Sequence, residues 1–374
     1  MKFEELLKNR IIEESTNSFS DNYDYYNQPF PIPFKKKIIN FGKAIFFNEF
    51  LFRYLFKSGF IFKRIFLHTY RLDRYLNELD FFYSSLEDEN SKKLLLKIVT
   101  FRILGYIKVR LPLSTPKYWE GIKSVEAMAE NNNLVELPYK PWKFQMHNLI
   151  SINLPIKIYM NSKSIFTTFV IEQYKYLDSN TIEAQKGDVV LDFGGCYGDT
   201  ALYFANKVGE KGKVYTFEFI PGNISIINQN LDINPILKER IEIVDKPLWE
   251  SSGKQVFFND KGSGSILSFE EYSGYEGTTK TISCDDFVEL KKIEKIDFIK
   301  TDIEGAEPFA LKGAERTIKK FKPKLAISIY HNMNDFVNVI KQISDFNAGY
   351  KFFLGHATIY TSETVLFCVS EDKK

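Results

Sequence analysis

Between Gly187 and Ser370 the chain repeats one arrangement, a short and almost wholly apolar run followed by a stretch whose apolar residues recur at three and four. The strand-like runs are GDVVLDFGG, KVYTFEF, IEIVDKPLW, IDFIKTDIEG, KPKLAISIYH, YKFFLGHA and TVLFCVS. Between them lie DTALYFANKVG, PGNISIINQNLDIN, AEPFALKGAERTIKKF and DFVNVIKQIS, which carry the helical period. A strand that is apolar on both faces must be covered on both faces, and helices on each side of a mainly parallel sheet meet that condition. The pattern therefore predicts an α/β fold with a doubly wound sheet. One interruption, from Gly253 to Lys280 with GSGS and GYEGTT between short β-prone runs, predicts a hairpin insertion.

The preceding third reads differently. From about residue 35 to 110 the apolar residues follow the helical period, and SSLEDENSKKLLLKIVTFRIL predicts a helix beginning near Ser84 to Glu87, with acids before its apolar run. Pro112, Pro116, Asn131 to Asn133, Pro138 and Pro141 make the interval 111–141 the predicted domain junction. The expected division is an N-terminal helical domain with linker over 1–140 and a second domain over 141–374. Early in the latter, FQMHNLISINLPIKIYM reads as extended and SIFTTFVIEQYKYL as a short helix.

Charge and cysteine content limit the function. Fifty Lys and Arg against 48 Asp and Glu leave a net charge of +2, so no nucleic-acid partner is expected. Cys196, Cys284 and Cys368 are too few and too widely spaced for a disulfide framework or a zinc site. With no signal-peptide pattern at the N-terminus and no uncharged apolar window of about 18 residues, a cytoplasmic protein without a transmembrane segment is expected. Residues 35–75 hold ten Lys or Arg against two acids among many aromatics, a composition that suits peripheral contact with the inner membrane face or a bundle with a basic rim.

The stretch VVLDFGGCYGD places Gly194, Gly195 and Gly198 on the first strand-to-helix turn, where a doubly wound sheet holds its ligand. Glu218, 20 residues past Gly198, stands where a carboxylate accepts the ribose hydroxyls of an adenosine, with Phe219 beside it. Asp192 at the mouth of the turn would repel a pyrophosphate and attract an ammonium, and Asp199 and Thr200 would cap the helix amides in place of a phosphate. The expected cofactor is S-adenosylmethionine, a nicotinamide dinucleotide being the alternative. Asp245, ending the third strand, is a candidate partner for the adenine amino group.

These segments, with ISCDDF and above all DIEGAE followed by LKGAE, resemble the FkbM family of S-adenosylmethionine-dependent methyltransferases over about residues 170–370. The resemblance implies the class I methyltransferase (Rossmann-like) fold, with seven strands of which the last runs antiparallel. It also implies O-methylation of a sugar in a surface polysaccharide or glycan, or of a polyketide or other secondary metabolite. Cys196 and Tyr197 depart from the smaller residues such a turn favours, so Tyr197 either packs on the cofactor or alters the substrate mouth.

Methyl transfer to a hydroxyl needs in-line alignment and removal of a proton. Asp302 ends IDFIKTDI with Glu304 two residues on, and His331 ends KPKLAISIYH. His331 is the candidate general base and Asp302 its orienting group, with Glu304 in the same catalytic set. Glu304 and Glu307 open a helix, where acids are favoured whatever the function. Asp302, Glu304, Glu307 and His331 are also donors that Mg²⁺ or Mn²⁺ accepts, but the spacing has no tight pattern and no metal ligand is assigned. His68, His147 and His356 are expected to be structural, and Asp285 and Asp286 to cap the segment before the next strand. A non-catalytic S-adenosylmethionine-binding scaffold working through residues 1–140 is the remaining alternative.

Overall fold

The computed structural model describes residues 2–19, 72–138, 143–178, 181–262, 265 and 267–371, without the side chains of 72, 73, 131 and 132. The basic aromatic stretch 35–75 thus lies outside the described residues except for its last four, and so does His68. No helix among the described residues is long and apolar enough to cross a membrane.

The described chain divides into two compact units. The first comprises 1–116 with 358–363. It contains the helices Phe3–Glu14, Leu76–Ser85 and Glu89–Leu104. Its core is Phe3, Leu7, Ile11, Leu79, Phe82, Leu95 and Ile98, all fully buried. The helix expected near Ser84 to Glu87 starts at Glu89, because Asp88 is its cap and accepts the Ser91 amide at 2.8 Å. Phe3–Glu14 carries Phe3, Leu7 and Ile11 at the helical spacing of four, a short stripe that sequence reading passed over.

The second unit, 117–357 with 364–374, is built on a seven-stranded sheet. Its strands are β1 (Val189–Phe193), β2 (Lys213–Phe217), β3 (Ile241–Val244), β4 (Phe298–Thr301), β5 (Lys324–Ser328), β6 (Tyr350–His356) and β7 (Thr364–Ser370). Their spatial order is β6-β7-β5-β4-β1-β2-β3. The five strands from β3 to β5 are parallel, and β7 is antiparallel to both its neighbours. This is the class I methyltransferase arrangement. Strand order reverses between β1 and β4, which opens a crevice at their carboxyl ends.

Within the interval 111–141 the chain is more regular than its composition predicts. Pro116 opens the helix Pro116–Glu126, a place where its missing amide proton costs nothing. Ala129–Glu136 is a strand whose register shifts between Glu130 and Leu134, so the Asn run is absorbed as a bulge. With Lys143–Asn148 and Lys157–Met160 it forms a three-stranded antiparallel sheet. Asn230 and Asn234 tie that sheet to the helix Pro221–Asp232 and the turn after it, accepting the Tyr159 amide at 2.7 Å and the Lys157 amide at 3.0 Å. The predicted short helix is one turn, Ser162–Ile165, followed by a π-helical turn over Phe166–Val170. The insertion is Gln255–Phe258, Leu267–Ser268 and Gly277–Lys280, again antiparallel.

Candidate functional site

The glycine turn after β1 is shaped first by the protein's own packing. Gly194 sits at φ +92°, and a Cβ there would stand 2.0 Å from the Asp302 carbonyl oxygen. A Cβ on Gly195 would meet Thr216 Oγ1 at 2.3 Å. The amides of both glycines donate to the Phe217 carbonyl, so the turn lies hard against the ends of β2 and β4.

Beneath it is a buried ion pair. Register sets Asp192 of β1 between Lys300 of β4 and Thr216 of β2. Asp192 Oδ1 is 3.0 Å from Lys300 Nζ, and Oδ2 accepts the hydroxyls of Thr200 (2.8 Å) and Thr216 (2.9 Å). Lys300 also donates to the carbonyls of Phe193 and Gly194, at 3.2 and 2.6 Å. Burial opposes its charge, but Asp192, with Asp302 and Asp199, outweighs burial and holds the ammonium's pKa above its ordinary value. Asp192 is therefore not a free carboxylate at the mouth of the turn: it is wholly buried and its charge is met by Lys300. The expectation that it selects between an ammonium and a diphosphate fails on this geometry. Asp199 and Thr200 do not cap the helix either. Gly198 holds the cap position, Asp199 accepts the Thr168 hydroxyl at 2.9 Å, and Thr200 donates to Asp192.

Past β2, Glu218 turns into its own loop. One oxygen accepts the amides of Phe219 and Ile220, both at 2.8 Å, and the other the Asn223 side chain at 3.1 Å. Burial outweighs these bonds and pushes its pKa up to about 7. Phe219 and the exposed Asp245 line one open cleft of about 650 Å³, together with Pro221, Phe258 and Thr278. The Phe219 ring meets Phe258 edge-on at 5.4 Å. Tyr197 points elsewhere, packing edge-on against Phe144 at 5.0 Å.

At the carboxyl ends of β4 and β5 the predicted catalytic residues converge. His331 Nε2 is 3.3 Å from Asp302 Oδ1 and 3.4 Å from Glu304 Oε2, and Nδ1 is 3.2 Å from Glu307 Oε1. Burial alone would discharge the ring, but Glu307, Asp302 and Glu304 overcome it and lift its pKa to about 9. His331 is thus an imidazolium at neutral pH and accepts a proton only above that range. Asp302 is oriented by two phenols, Tyr174 at 2.8 Å and Tyr330 at 3.1 Å. Glu307 is fully buried, with Oε1 accepting the Ile303 amide at 2.8 Å. Glu304, by contrast, is two-thirds exposed. It sits at φ +57° ahead of Gly305 at +95°, a left-handed pair that projects its carboxylate from the strand end. Partial burial and the charges of Asp302 and Glu307 raise its pKa despite His331.

Sequence reading missed Lys300, Tyr174 and Tyr330. For Lys300 a signal existed, since a lysine inside the apolar run IDFIKTDI has no solvated face to occupy. The tyrosines carried none, because Tyr174 reaches Asp302 across 128 positions. Asp285 accepts the amides of Arg316 and Thr317, so it caps the helix Glu315–Phe321, while Ser283 caps Cys284–Leu290. His147 is buried against Ser162 and the Gln145 carbonyl, and His356 contacts Thr364.

Residues 184–352 match the family described as the Methyltransferase FkbM domain. The crystal structure of Methyltransferase FkbM from Methylobacillus flagellatus KT superimposes with a TM-score of 0.51 at 19% identity, covering 80% of this chain and 60% of that one. The chain thus spans about 60% of that protein's length, and the likeness is one of fold. Aeropyrum pernix fibrillarin in complex with S-adenosyl-L-methionine is more remote, with a TM-score of 0.35 at 14% identity over 64% of this chain and 97% of that one. A S-adenosylmethionine-dependent O-methyltransferase from Thermotoga maritima gives 0.34 at 13%, over 59% and 69%. No curated protein matches the chain in sequence.

Proposed function

We propose that the chain, whose residues 184–352 match the Methyltransferase FkbM domain, is an S-adenosylmethionine-dependent O-methyltransferase whose acceptor is a sugar hydroxyl in a surface polysaccharide or glycan. The observation that carries this reading is the convergence of Asp302, Glu304 and His331 next to the glycine turn, since the Asp302 carbonyl itself lies against Gly194. The residues around the turn fit the cofactor. Gly194 and Gly198 are left-handed, Glu218 follows β2, and Phe219 and Asp245 line an open cleft of a size suited to a nucleoside. Gly194, Gly195 and Gly198 would pass along the amino-acid tail, Glu218 would face the ribose, and Phe219 with Asp245 would hold the adenine. When bound, the cofactor supplies an electrophilic methyl group on a sulfonium.

Transfer to a hydroxyl forms a C–O bond, breaks a C–S bond and releases one proton. Glu304 is the group placed to take that proton, because it is the exposed carboxylate of the cluster and partial burial raises its pKa. Asp302, fixed by Tyr174 and Tyr330, accepts a hydrogen bond from the acceptor, and the His331 imidazolium holds the carboxylates together.

The test is transfer of labelled methyl groups to glycan fractions, with cofactor affinity followed in parallel by calorimetry. Glu304→Gln is expected to lower turnover about 10²-fold or more and leave S-adenosylhomocysteine affinity within about twofold. Heat from NAD with none from S-adenosylhomocysteine would reverse the assignment.

A further inference from the structure

We propose that Asp302, Glu307 and His331 form a binding site for one divalent cation, with Mn²⁺ its best-matched ion. The inference deepens the reading above: the cation would replace the ring proton of His331 and take over from the imidazolium the task of holding the carboxylates together. Each of the three residues offers one donor atom, and these atoms all lie within 4.8 Å of one another. An ion with bonds of about 2.0–2.2 Å gathers donors up to about 4.2 Å apart, so the side chains need move by well under an ångström.

A second observation points to a ligand. Glu307 is fully buried, and its Oε2 has no hydrogen-bond partner, while Oε1 is held by the Ile303 amide. Neither ring nitrogen of His331 makes a well-formed hydrogen bond, although the side chain is only 9% exposed. A carboxylate oxygen stranded out of water is costly, and a metal–oxygen bond would satisfy it. Asp302 already has the outer support common to metal ligands, its Oδ2 fixed by the Tyr174 hydroxyl. Two carboxylates and one imidazole mix hard oxygens with a nitrogen, a set that favours Mn²⁺ over Ca²⁺. Glu304 lies 3.4 Å from His331 on the open side and stays outside the ligand set, free to serve as base.

The experiment titrates MnCl₂ into the chelator-treated full chain and follows the loss of the free-ion electron paramagnetic resonance signal, with S-adenosylhomocysteine titrated calorimetrically into the same samples. One Mn²⁺ per chain is expected, competed by Mg²⁺, with affinity at least tenfold weaker in Glu307→Gln and in His331→Gln and S-adenosylhomocysteine binding retained. Should either variant fold poorly by circular dichroism, spin-echo modulation from a coordinated imidazole nitrogen in the unmodified chain decides the matter: its presence supports the site and its absence overturns it. No Mn²⁺ bound, or binding indifferent to both substitutions, would mean that the cluster is a structural ion network only. That result leaves the methyltransferase reading intact if S-adenosylhomocysteine still binds, whereas failure of the nucleoside alone counts against the reading and not against the metal.

Discussion

Replacing Lys300 by methionine tests whether the ion pair under the glycine turn organises the site. The pair is separated by 3.0 Å, with side chains 1% and 0% exposed. At an effective dielectric of about 20, that separation corresponds to roughly 5.5 kcal/mol of attraction. Lys300→Met removes it and leaves Asp192 charged without a counterion, in a place where the two threonine hydroxyls are its remaining partners. Breaking a buried pair from one side costs about 3–5 kcal/mol, or about 6–20 °C in the melting temperature of a domain this size. Trp119 and Trp249 belong to the second unit, so their fluorescence during urea unfolding reports on that unit. The double variant Lys300→Met with Asp192→Asn should recover at least about 1.5 kcal/mol, because it no longer buries an unpaired charge. A cost below about 1 kcal/mol in the single variant, or strict additivity in the double, would refute the reasoning and leave the turn held by its backbone bonds alone.

Glu218 should make cofactor binding pH-dependent. With its pKa near 7, the ionised fraction falls from about nine-tenths at pH 8 to about one-tenth at pH 6, and a ribose diol needs the ionised acceptor. S-adenosylhomocysteine is thus expected to bind about tenfold more weakly at pH 6 than at pH 8, and Glu218→Gln should flatten the profile; parallel slopes in the two proteins would remove Glu218 from the cofactor site. Asn230→Ala deletes three bonds, to the amide and carbonyl of Tyr159 and to the carbonyl of Tyr197, at 2.7, 3.2 and 2.9 Å. It should cost about 2–4 kcal/mol in urea unfolding, and a cost under about 1 kcal/mol would show that the small sheet docks by other means.

The parallel sheet was legible because burial on both faces leaves a signature in consecutive residues: all four positions of β4 are buried, and four of five in β1 and β5. The convergence of Asp302, Glu304 and His331 was legible for a related reason, since adjacent parallel strands end on the same side. What their side chains do there was not. Whether Asp192 faces a ligand or a lysine depends on which residue register sets beside it, and that residue lies 108 positions away. The protonation of His331 likewise depends on Glu307, which periodicity assigned to a helix start. Asn131 to Asn133 misled because a bulged strand tolerates residues that a regular one resists.

The place of β7 in the sheet bears on how the molecule can assemble. Thr364–Ser370 is buried along its whole length between β5 and β6, yet it leaves the ribosome after both. Until it arrives, β6 has no neighbour to join and β5 presents a bare apolar edge, so this side of the sheet must wait for the last-made of its strands. Nascent chains halted before about residue 364 should therefore expose that edge to chaperones, while β1 to β4 are already able to zip together.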